Sequence, residues 1–126
     1  MNNKNMDTVI AYLKSWNNGR IAEGRKYVSD DYHFNGPIDE FHNANDAFTA
    51  FEQLAPVVEG IEIASILEQG DDLAAFYVFK VKAPIGHVPI AEHIKLRNGK
   101  VSDSRIYYDP RTFGNVMPLP PVKTQF

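Results

Sequence analysis

The chain has 126 residues, of which 44% are hydrophobic and 23% charged, with a net charge of −3 and no cysteine. This composition is typical of a globular protein of one domain, and it excludes a disulfide framework, a thiolate nucleophile and a zinc–cysteine site. A basic nucleic-acid footprint, an apolar stretch long enough to cross a membrane and an N-terminal secretory signal are all missing, so we expect a cytoplasmic protein.

The first predicted helix runs from about Asp7 to Trp16 and ends at Asn17-Asn18-Gly19. Its apolar residues recur at i, i+3, i+4 and i+7, which places them on one face. They are Val9, Tyr12, Leu13 and Trp16. A short second helix is predicted over residues 20–28, ended by Asp30-Asp31.

A short strand over residues 32–35 follows, and it ends at Gly36-Pro37. Because side chains alternate along a strand, His33 and Asn35 share one face and Phe34 and Gly36 the other. If the first pair points inward, His33 is a candidate general base. If it points outward, His33 is a surface histidine.

Residues 38–45 are predicted as a loop that carries the charges of Asp39-Glu40 near the mouth of any cavity. The third helix is predicted over residues 46–55, with Asn45 as N-cap. Its inward residues are Phe48, Phe51 and Leu54.

Two strands are predicted after Gly60. In the first, Ile61, Ile63 and Leu67 point inward. The second has an inward row of Leu73, Ala75, Tyr77, Phe79 and Val81. Its outward face is also partly apolar at Phe76 and Val78, which indicates contact with a partner. We therefore expect a homodimer through the outer face of the sheet.

The last two strands form a hairpin around Asn98-Gly99, a pair typical of a type I′ turn. In a regular hairpin Glu92 lies across from Arg105, and the two form an ordinary cross-strand ion pair. A β-bulge near Ser102-Asp103 would instead give a nearly apolar inner face. That face consists of Ile90, Glu92, Ile94, Leu96, Val101, Ser104, Ile106 and Tyr108. Glu92 would then face a cavity, where burial raises the pKa of its carboxyl and makes it a hydrogen-bond donor or general acid.

The order of elements predicts an α+β fold in which a curved antiparallel sheet packs its concave side against three N-terminal helices. We expect a single domain over residues 1–126, with a core over about 7–109 and a proline-rich coil tail over 110–126. Leu119 and Phe126 of this tail are expected to pack on either protomer of the dimer.

Three segments resemble the nuclear transport factor two-like superfamily, and the similarity covers about residues 7–119. They are TVIAYLKSWNNG near the N-terminus, SDDYHFNGP before the loop, and PIAEHIKLRNGKV through RIYYDPRTF at the hairpin and its exit. The resemblance implies a cone-shaped α+β roll of the cystatin-like kind. The superfamily includes SnoaL-like cyclases, ketosteroid isomerases and limonene-epoxide hydrolases.

The resemblance to ketosteroid isomerases implies an oxyanion hole made by Tyr12 and Glu92. The catalytic aspartate of those enzymes precedes the proline, and Gly36 stands at that position here. The base of the isomerases is therefore missing.

The resemblance to limonene-epoxide hydrolases implies a water-holding role for Asn35. His33 replaces the family's tyrosine, Tyr77 and Phe79 replace its arginine and first aspartate, and Ile106 replaces its second aspartate. SnoaL-like cyclases also carry an acid at the position of Ile106. The reactive sets of both groups are thus incomplete in this chain.

Two functions are expected from these residues. The first is a cofactor-free isomerase, lyase or hydrolase acting on a small hydrophobic molecule, with Glu92 and Tyr12 as catalytic residues. The second is a non-catalytic binding or dimerisation domain. The predicted ligand-binding residues are Trp16, His33, Asn35, Phe51, Tyr77, Phe79, Ser104, Ile106 and Tyr108. Tyr12 has the alternative of an ordinary core tyrosine, and no metal, cofactor, nucleic acid or membrane is expected.

Overall fold

The computed structural model of the protein describes residues 4–115, without the side chains of residues 112, 114 and 115. Its α-helices are α1 (Lys4–Lys14) and α2 (Ala44–Leu54), and shorter 3₁₀ helices cover Asn17–Gly19, Ile21–Tyr27, Ala55–Val57 and Pro110–Asn115. The strands are β1 (Val28–Asn35), β2 (Glu40–Phe41), β3 (Val58–Gln69), β4 (Asp72–Val81), β5 (His87–Arg97) and β6 (Lys100–Tyr107). None of the described helices has the length and apolarity needed to cross a membrane.

The predicted α+β fold is confirmed. The strands form one six-stranded sheet in the order β2-β1-β6-β5-β4-β3, and every neighbouring pair is antiparallel apart from β1 and β6. The predicted inward row on β4 is buried, and its members pack with the apolar stripes of α1 and α2 in one core cluster. The helices therefore cover the inner face of the sheet, where the core lies.

The β5–β6 hairpin contains the predicted bulge. Lys95 pairs with Asp103 but Leu96 pairs with Val101, so Ser102 is the extra residue. Asn98 and Gly99 have φ values of 55° and 79°, and a type I′ turn requires positive φ at both positions. Because side chains alternate along a strand, the extra residue shifts the alternation of β6 by one position. Ser104 and Ile106 therefore lie on the inner face, opposite Ile94 and Glu92.

Several predicted boundaries in the N-terminal half were wrong. The second helix ends at Tyr27, because Val28 is fully buried and pairs with Val101 as the start of β1. The predicted loop over 38–45 contains the short strand β2. The N-cap of α2 is Asn43 instead of Asn45, since Asn43 Oδ1 accepts a hydrogen bond from the backbone N–H of Asp46 at 2.8 Å.

Two further differences concern β3 and the tail. A register shift between Ile63 and Ser65 breaks the alternation of β3, so Leu67 is 61% exposed instead of inward. The start of the predicted coil tail is the 3₁₀ helix Pro110–Asn115, in which Phe113 packs on Tyr108. The predicted placements of Leu119 and Phe126 lie outside the described residues.

Candidate functional site

A cavity of about 210 Å³ lies between the inner face of the sheet and the two α-helices. Most of its wall is apolar or aromatic. The aromatic residues are Tyr12, Trp16, Phe34, Phe41, Phe51, Tyr77, Phe79, Tyr108 and Phe113, and the aliphatic ones include Ile38, Leu54, Ile61, Ile90 and Ile106. Because water has few hydrogen-bonding partners along such a wall, an apolar molecule is the favoured occupant.

The aromatic wall is held together by contacts between α1, α2 and the sheet. Trp16, just beyond the end of α1, meets Phe51 of α2 at 5.1 Å between ring centroids and Phe79 of β4 at 5.5 Å. Phe51 also meets Phe34 of β1 edge-on at 5.0 Å. Edge-on and tilted pairs of this kind are the favourable geometry for aromatic rings. Every layer of the fold therefore contributes to one continuous wall.

Glu92 supplies the one acidic group deep in this cavity. It lies on β5 opposite Ala75 of β4 and Ile106 of β6, and it is only 3% exposed. Arg105 lies on the opposite face, where it pairs with His93. The predicted alternative of a Glu92–Arg105 ion pair is therefore wrong, and the physical reason is the bulge at Ser102.

Three tyrosines surround this carboxyl. The Tyr77 hydroxyl donates a hydrogen bond to Glu92 Oε1 at 2.7 Å. The hydroxyls of Tyr12 and Tyr32 lie 2.6 Å apart and are fully enclosed. Tyr12, Tyr77 and Glu92 all line the cavity. The polar groups thus converge at one end of an otherwise apolar space, as in sites that orient a small ligand.

Burial raises the pKa of Glu92 above its ordinary value of 4.5, while the hydroxyls of Tyr77, Ser104 and Tyr12 partly oppose this effect. Burial also raises the pKa of Tyr12, Tyr32 and Tyr77, and the nearby Glu92 raises each of them further. These shifts favour the neutral form of all four groups, in which each has a proton to donate in a hydrogen bond.

Two polar atoms at this end have no hydrogen-bond partner among the described residues. They are Glu92 Oε2 and Ser104 Oγ, and both are inaccessible to solvent. Since an unpaired buried polar atom costs about 1–3 kcal/mol, its presence beside a cavity indicates a place where a ligand or an ordered water supplies the missing partner.

The mouth of the cavity carries a second carboxyl. Asp39 is exposed and lines the cavity together with Tyr108. Its position depends on a tight loop in which the Gly36 N–H donates to the Asp39 carbonyl at 2.8 Å. Burial raises the pKa of Tyr108, and the Asp39 charge raises it further. The cavity therefore has one buried acid and one exposed acid.

Eight predicted site residues line this cavity. They are Tyr12, Trp16, Phe51, Tyr77, Phe79, Glu92, Ile106 and Tyr108. Ser104 is not among them: it is buried, its hydroxyl interacts with Glu92, and it borders the outer depression described below. His33 and Asn35 do not line the cavity either. Phe34 occupies the inner face of β1 at that point, so strand alternation turns both residues to the outer side. There they border a separate surface depression with His93, Lys95 and Asp103.

Sequence reasoning missed Tyr32, the partner of Tyr12, and Asp39 as a lining residue. Tyr32 could have been found, because it alternates with Phe34 on the apolar side of β1. Asp39 was recognised only as a loop charge near the mouth, since the fold of a loop leaves no periodic signal.

The side chains able to hold a metal lie outside the cavity. Within residues 4–115, one group of three potential ligands lies close enough together, and it consists of His33, Glu40 and His42. Sequence reasoning found no metal spacing here, because His33 reaches Glu40 only through the pairing of β1 with β2.

The chain matches the family model of a SnoaL-like domain over residues 9–104. No curated protein matches it in sequence. Among solved structures, an NTF2-like protein of unknown function from Cytophaga hutchinsonii is similar with a TM-score of 0.79 and 17% identity, covering 87% of this chain and 94% of that one.

Two other similar structures have names that suggest an activity. One is a putative SnoaL-like polyketide cyclase from Jannaschia sp. CCS1, with a TM-score of 0.75, 12% identity and 94% of each chain covered. The other is an LEH-like epoxide hydrolase from M. tuberculosis, with a TM-score of 0.76 and 14% identity, covering 89% of this chain and 87% of that one. At these identities the likeness concerns the fold.

Proposed function

The chain belongs to the SnoaL-like family of the NTF2-like superfamily, and we propose that it is a cofactor-independent enzyme acting on a small, mostly apolar molecule. The molecule carries an oxygen, such as that of a carbonyl or an enol, which binds at the polar end of the cavity. Glu92 donates a hydrogen bond to that oxygen as negative charge develops on it.

One observation carries this proposal: Glu92 is buried beside the cavity and its Oε2 has no partner among the described residues. The other oxygen, Oε1, already accepts the Tyr77 hydrogen bond. Burial favours the neutral acid, and a proton on the enclosed Oε2 would reach a ligand oxygen after a small turn of the side chain. A carboxylic acid kept neutral in this way is a strong donor to an oxyanion.

The tyrosines supply further donors. The contact between Tyr12 and Tyr32 at 2.6 Å lets Tyr32 donate to Tyr12 while Tyr12 donates onward to the ligand. Hydrogen bonds in such a chain strengthen each other. The aromatic wall around Trp16 and Phe51 orients the apolar body of the ligand, so that its oxygen meets these donors.

Asp39 is the proposed partner of Glu92 in proton transfer. It is exposed at the mouth, whereas Glu92 is buried at the inner end. Two carboxyls in such different environments are suited to opposite roles, one as acid and the other as base. Asp39 would accept a proton from the substrate at the mouth of the cavity. It would thus act as the base, in place of the isomerase aspartate whose position Gly36 occupies.

A second candidate function is ligand binding without catalysis, and the residue types at three positions support it. Gly36, Phe79 and Ile106 stand where the resemblance to isomerases and epoxide hydrolases implies charged reactive residues. A Cβ at residue 36 would lie 3.0 Å from Ile106 Cγ1. The space beside Gly36 is therefore filled by an apolar side chain.

Trp16 provides the binding assay, because it is the one tryptophan of the chain and it lines the cavity. We would titrate the protein with cyclic enones, substituted phenols and small epoxides and follow its emission. Compounds that bind would then be incubated in D₂O and examined for hydrogen–deuterium exchange next to the carbonyl, for isomerisation and for hydrolysis.

The deciding variants are Glu92→Gln and Asp39→Asn, which keep the shape and remove the acid or base. We expect each to slow turnover about a hundredfold or more. The matched control is Glu62→Gln. Glu62 does not line the cavity, and its carboxylate forms an ion pair with Lys80 at 2.7 Å. Binding without turnover by the wild type would favour the binding domain, and the absence of binding would contradict both candidates.

The outer face of the sheet is the proposed dimer interface. Phe76, Ala91 and Tyr107 lie in one row across β4, β5 and β6, and Phe76 and Tyr107 are 41% and 44% exposed. A second copy of the chain would bury this row. Light scattering after size exclusion should give a dimer for the wild type and a monomer for Phe76→Glu; a wild-type monomer would contradict this proposal.

A further inference from the structure

His33, Glu40 and His42 form a compact group on the outer side of β1 and β2, away from the cavity. We propose that this group binds a divalent transition-metal ion of the Zn²⁺ type. The ligands would be Nε2 of both histidines and one carboxylate oxygen of Glu40.

The pairing of the two strands brings these residues together. Phe34 pairs with Phe41 and Asn35 pairs with Glu40. In this register His33 falls opposite His42, and Glu40 lies two residues from His42 on the same outer face. His33 Nε2 lies 2.7 Å from Glu40 Oε2, and His42 Nε2 lies 3.9 Å from the same oxygen. The two imidazole rings stack at 5.0 Å between centroids.

These distances are close to those that a metal requires. The three ligand atoms lie within 4.8 Å of one another, and ligands around a tetrahedral Zn²⁺ with bonds of 2.0–2.1 Å are roughly 3.3 Å apart. Small movements close the difference. The His42 side chain is 77% exposed and free to turn its ring onto the ion, while His33 and Glu40 need only separate slightly.

Asp103 lies on the other side of His33, slightly beyond hydrogen-bond distance. The two residues pair in register across β1 and β6, and His33 Nδ1 lies 3.7 Å from Asp103 Oδ1. Metal-binding histidines commonly direct the second ring nitrogen to a carboxylate, which fixes the tautomer and orients the ring. In the metal-free protein the Nε2–H of His33 donates to Glu40. An ion that takes its place would be bound by Nε2, with the ring proton on Nδ1 on the side of Asp103.

The donor set determines which ion is favoured. Two imidazoles with one carboxylate suit Zn²⁺, Co²⁺, Ni²⁺ or Cu²⁺, whereas Mg²⁺ and Ca²⁺ prefer oxygen ligands alone. The site faces solvent, so water fills the remaining coordination position.

A metal here would act on the cavity wall through the backbone. Phe34 and Phe41 are the residues next to the ligands in β1 and β2, and both line the cavity, as does Asp39. An ion that joins His33 to Glu40 and His42 therefore fastens the two-residue strand β2 to β1. Because the ion binds the folded chain, the melting temperature should rise as the concentration of the metal ion increases.

The test uses metal-free, tag-free protein, titrated with ZnCl₂ by calorimetry and with CoCl₂ by visible absorbance. We expect one ion per chain, and the intense visible bands of four-coordinate Co²⁺. His42→Ala should weaken Zn²⁺ binding about tenfold or more, and Asp103→Asn should weaken it by about tenfold through His33. Since His42 is largely exposed, the fold of His42→Ala should be unchanged by circular dichroism.

His93→Ala is the matched control. His93 is a half-exposed strand histidine that contacts one carboxylate, that of Asp72, at 3.0 Å. The His93→Ala variant should bind Zn²⁺ as tightly as the wild type does. The proposal is overturned if the wild type binds neither ion, or if His42→Ala binds as tightly as His93→Ala. Neither result bears on the cavity or its proposed activity.

Discussion

The hydroxyl of Tyr77 donates a hydrogen bond to Oε1 of Glu92 at 2.7 Å, across two neighbouring strands and out of contact with solvent. Tyr77 pairs with Ile90, two residues before Glu92, so the two side chains meet diagonally on the inner face. This contact holds the carboxyl in one orientation and leaves the enclosed Oε2 without a hydrogen-bond partner among the described residues. The chemistry proposed for the site depends on it.

Tyr77→Phe should destabilise the protein and also raise the pKa of Glu92. The substitution leaves a buried oxygen without its donor, which costs about 1–3 kcal/mol in the free energy of unfolding. Because the Tyr77 hydroxyl lowers the pKa of Glu92, its loss should raise that pKa further. Urea denaturation measures the first effect, and NMR of the Glu92 side-chain carbon measures the second. The control Tyr27→Phe, at a partly buried position outside the cavity, should stay within about 0.5 kcal/mol of the wild type.

Glu92→Gln should change how stability depends on pH. Burial raises the pKa of Glu92 in the folded chain above 4.5, so just above that pH the folded state binds more protons than the unfolded state. The stability contributed by the neutral acid is therefore present below about pH 4.5 and lost as pH rises toward the folded pKa, by up to about 1.4 kcal/mol per pH unit. Relative to the wild type, Glu92→Gln should become more stable over this range. A difference that stays constant with pH would mean that Glu92 has an ordinary pKa.

Inserting an alanine between Ser102 and Asp103 should unfold or strongly destabilise the protein. Ser102 is the one extra residue of the bulge, and with a second added residue a one-residue bulge exchanges the two faces of β6 beyond that point. Asp103 and Arg105 would then turn toward the core in place of Ser104 and Ile106. Circular dichroism and thermal unfolding measure the effect. The matched control is deletion of Ser102, which makes Leu96–Val101 and Lys95–Asp103 successive pairs and keeps both faces, so it should cost much less. Equal effects of the two changes would contradict the role of the bulge.

Gly36→Ala should be coupled energetically to Ile106. The new Cβ would lie 3.0 Å from Cγ1 and 3.3 Å from Cδ1 of Ile106, an overpacking that costs about 1–3 kcal/mol. Ile106→Ala removes both atoms, so Gly36→Ala should cost less in that background. A double-mutant cycle by urea denaturation should give a coupling of at least about 0.5 kcal/mol. Additive effects would indicate that the neighbouring backbone moves instead.

Most of the inner face of the sheet was predictable, because it depends on local patterns. The Asn98-Gly99 turn and the alternation of apolar residues were enough to predict the bulge and the inward position of Glu92, both confirmed by the β5–β6 register. The same alternation predicted the buried row on β4.

The placement of His33 was left open, because the predicted strand covered only residues 32–35 and a polar pair on one of its faces fits either a cavity or the surface. In the structure Phe34 packs against Phe51 of α2, so residues 33 and 35 face outward. The N-cap of α2 was missed for a different reason. Asn43 and Asn45 are equally good capping residues, and the path of the preceding loop decided between them.

The sequence by itself determined the α+β fold, the apolar faces of the helices and strands, and one acid among the inward residues of β5. These features repeat with the period of a helix or a strand, so neighbouring residues specify them. Only the tertiary structure decided that Tyr32 meets Tyr12, that Asp39 stands at the cavity mouth, and that His33 joins Glu40 and His42 outside it. Each of these contacts depends on how separate segments pair or how a loop folds, and no short stretch of sequence specifies which distant residues come together.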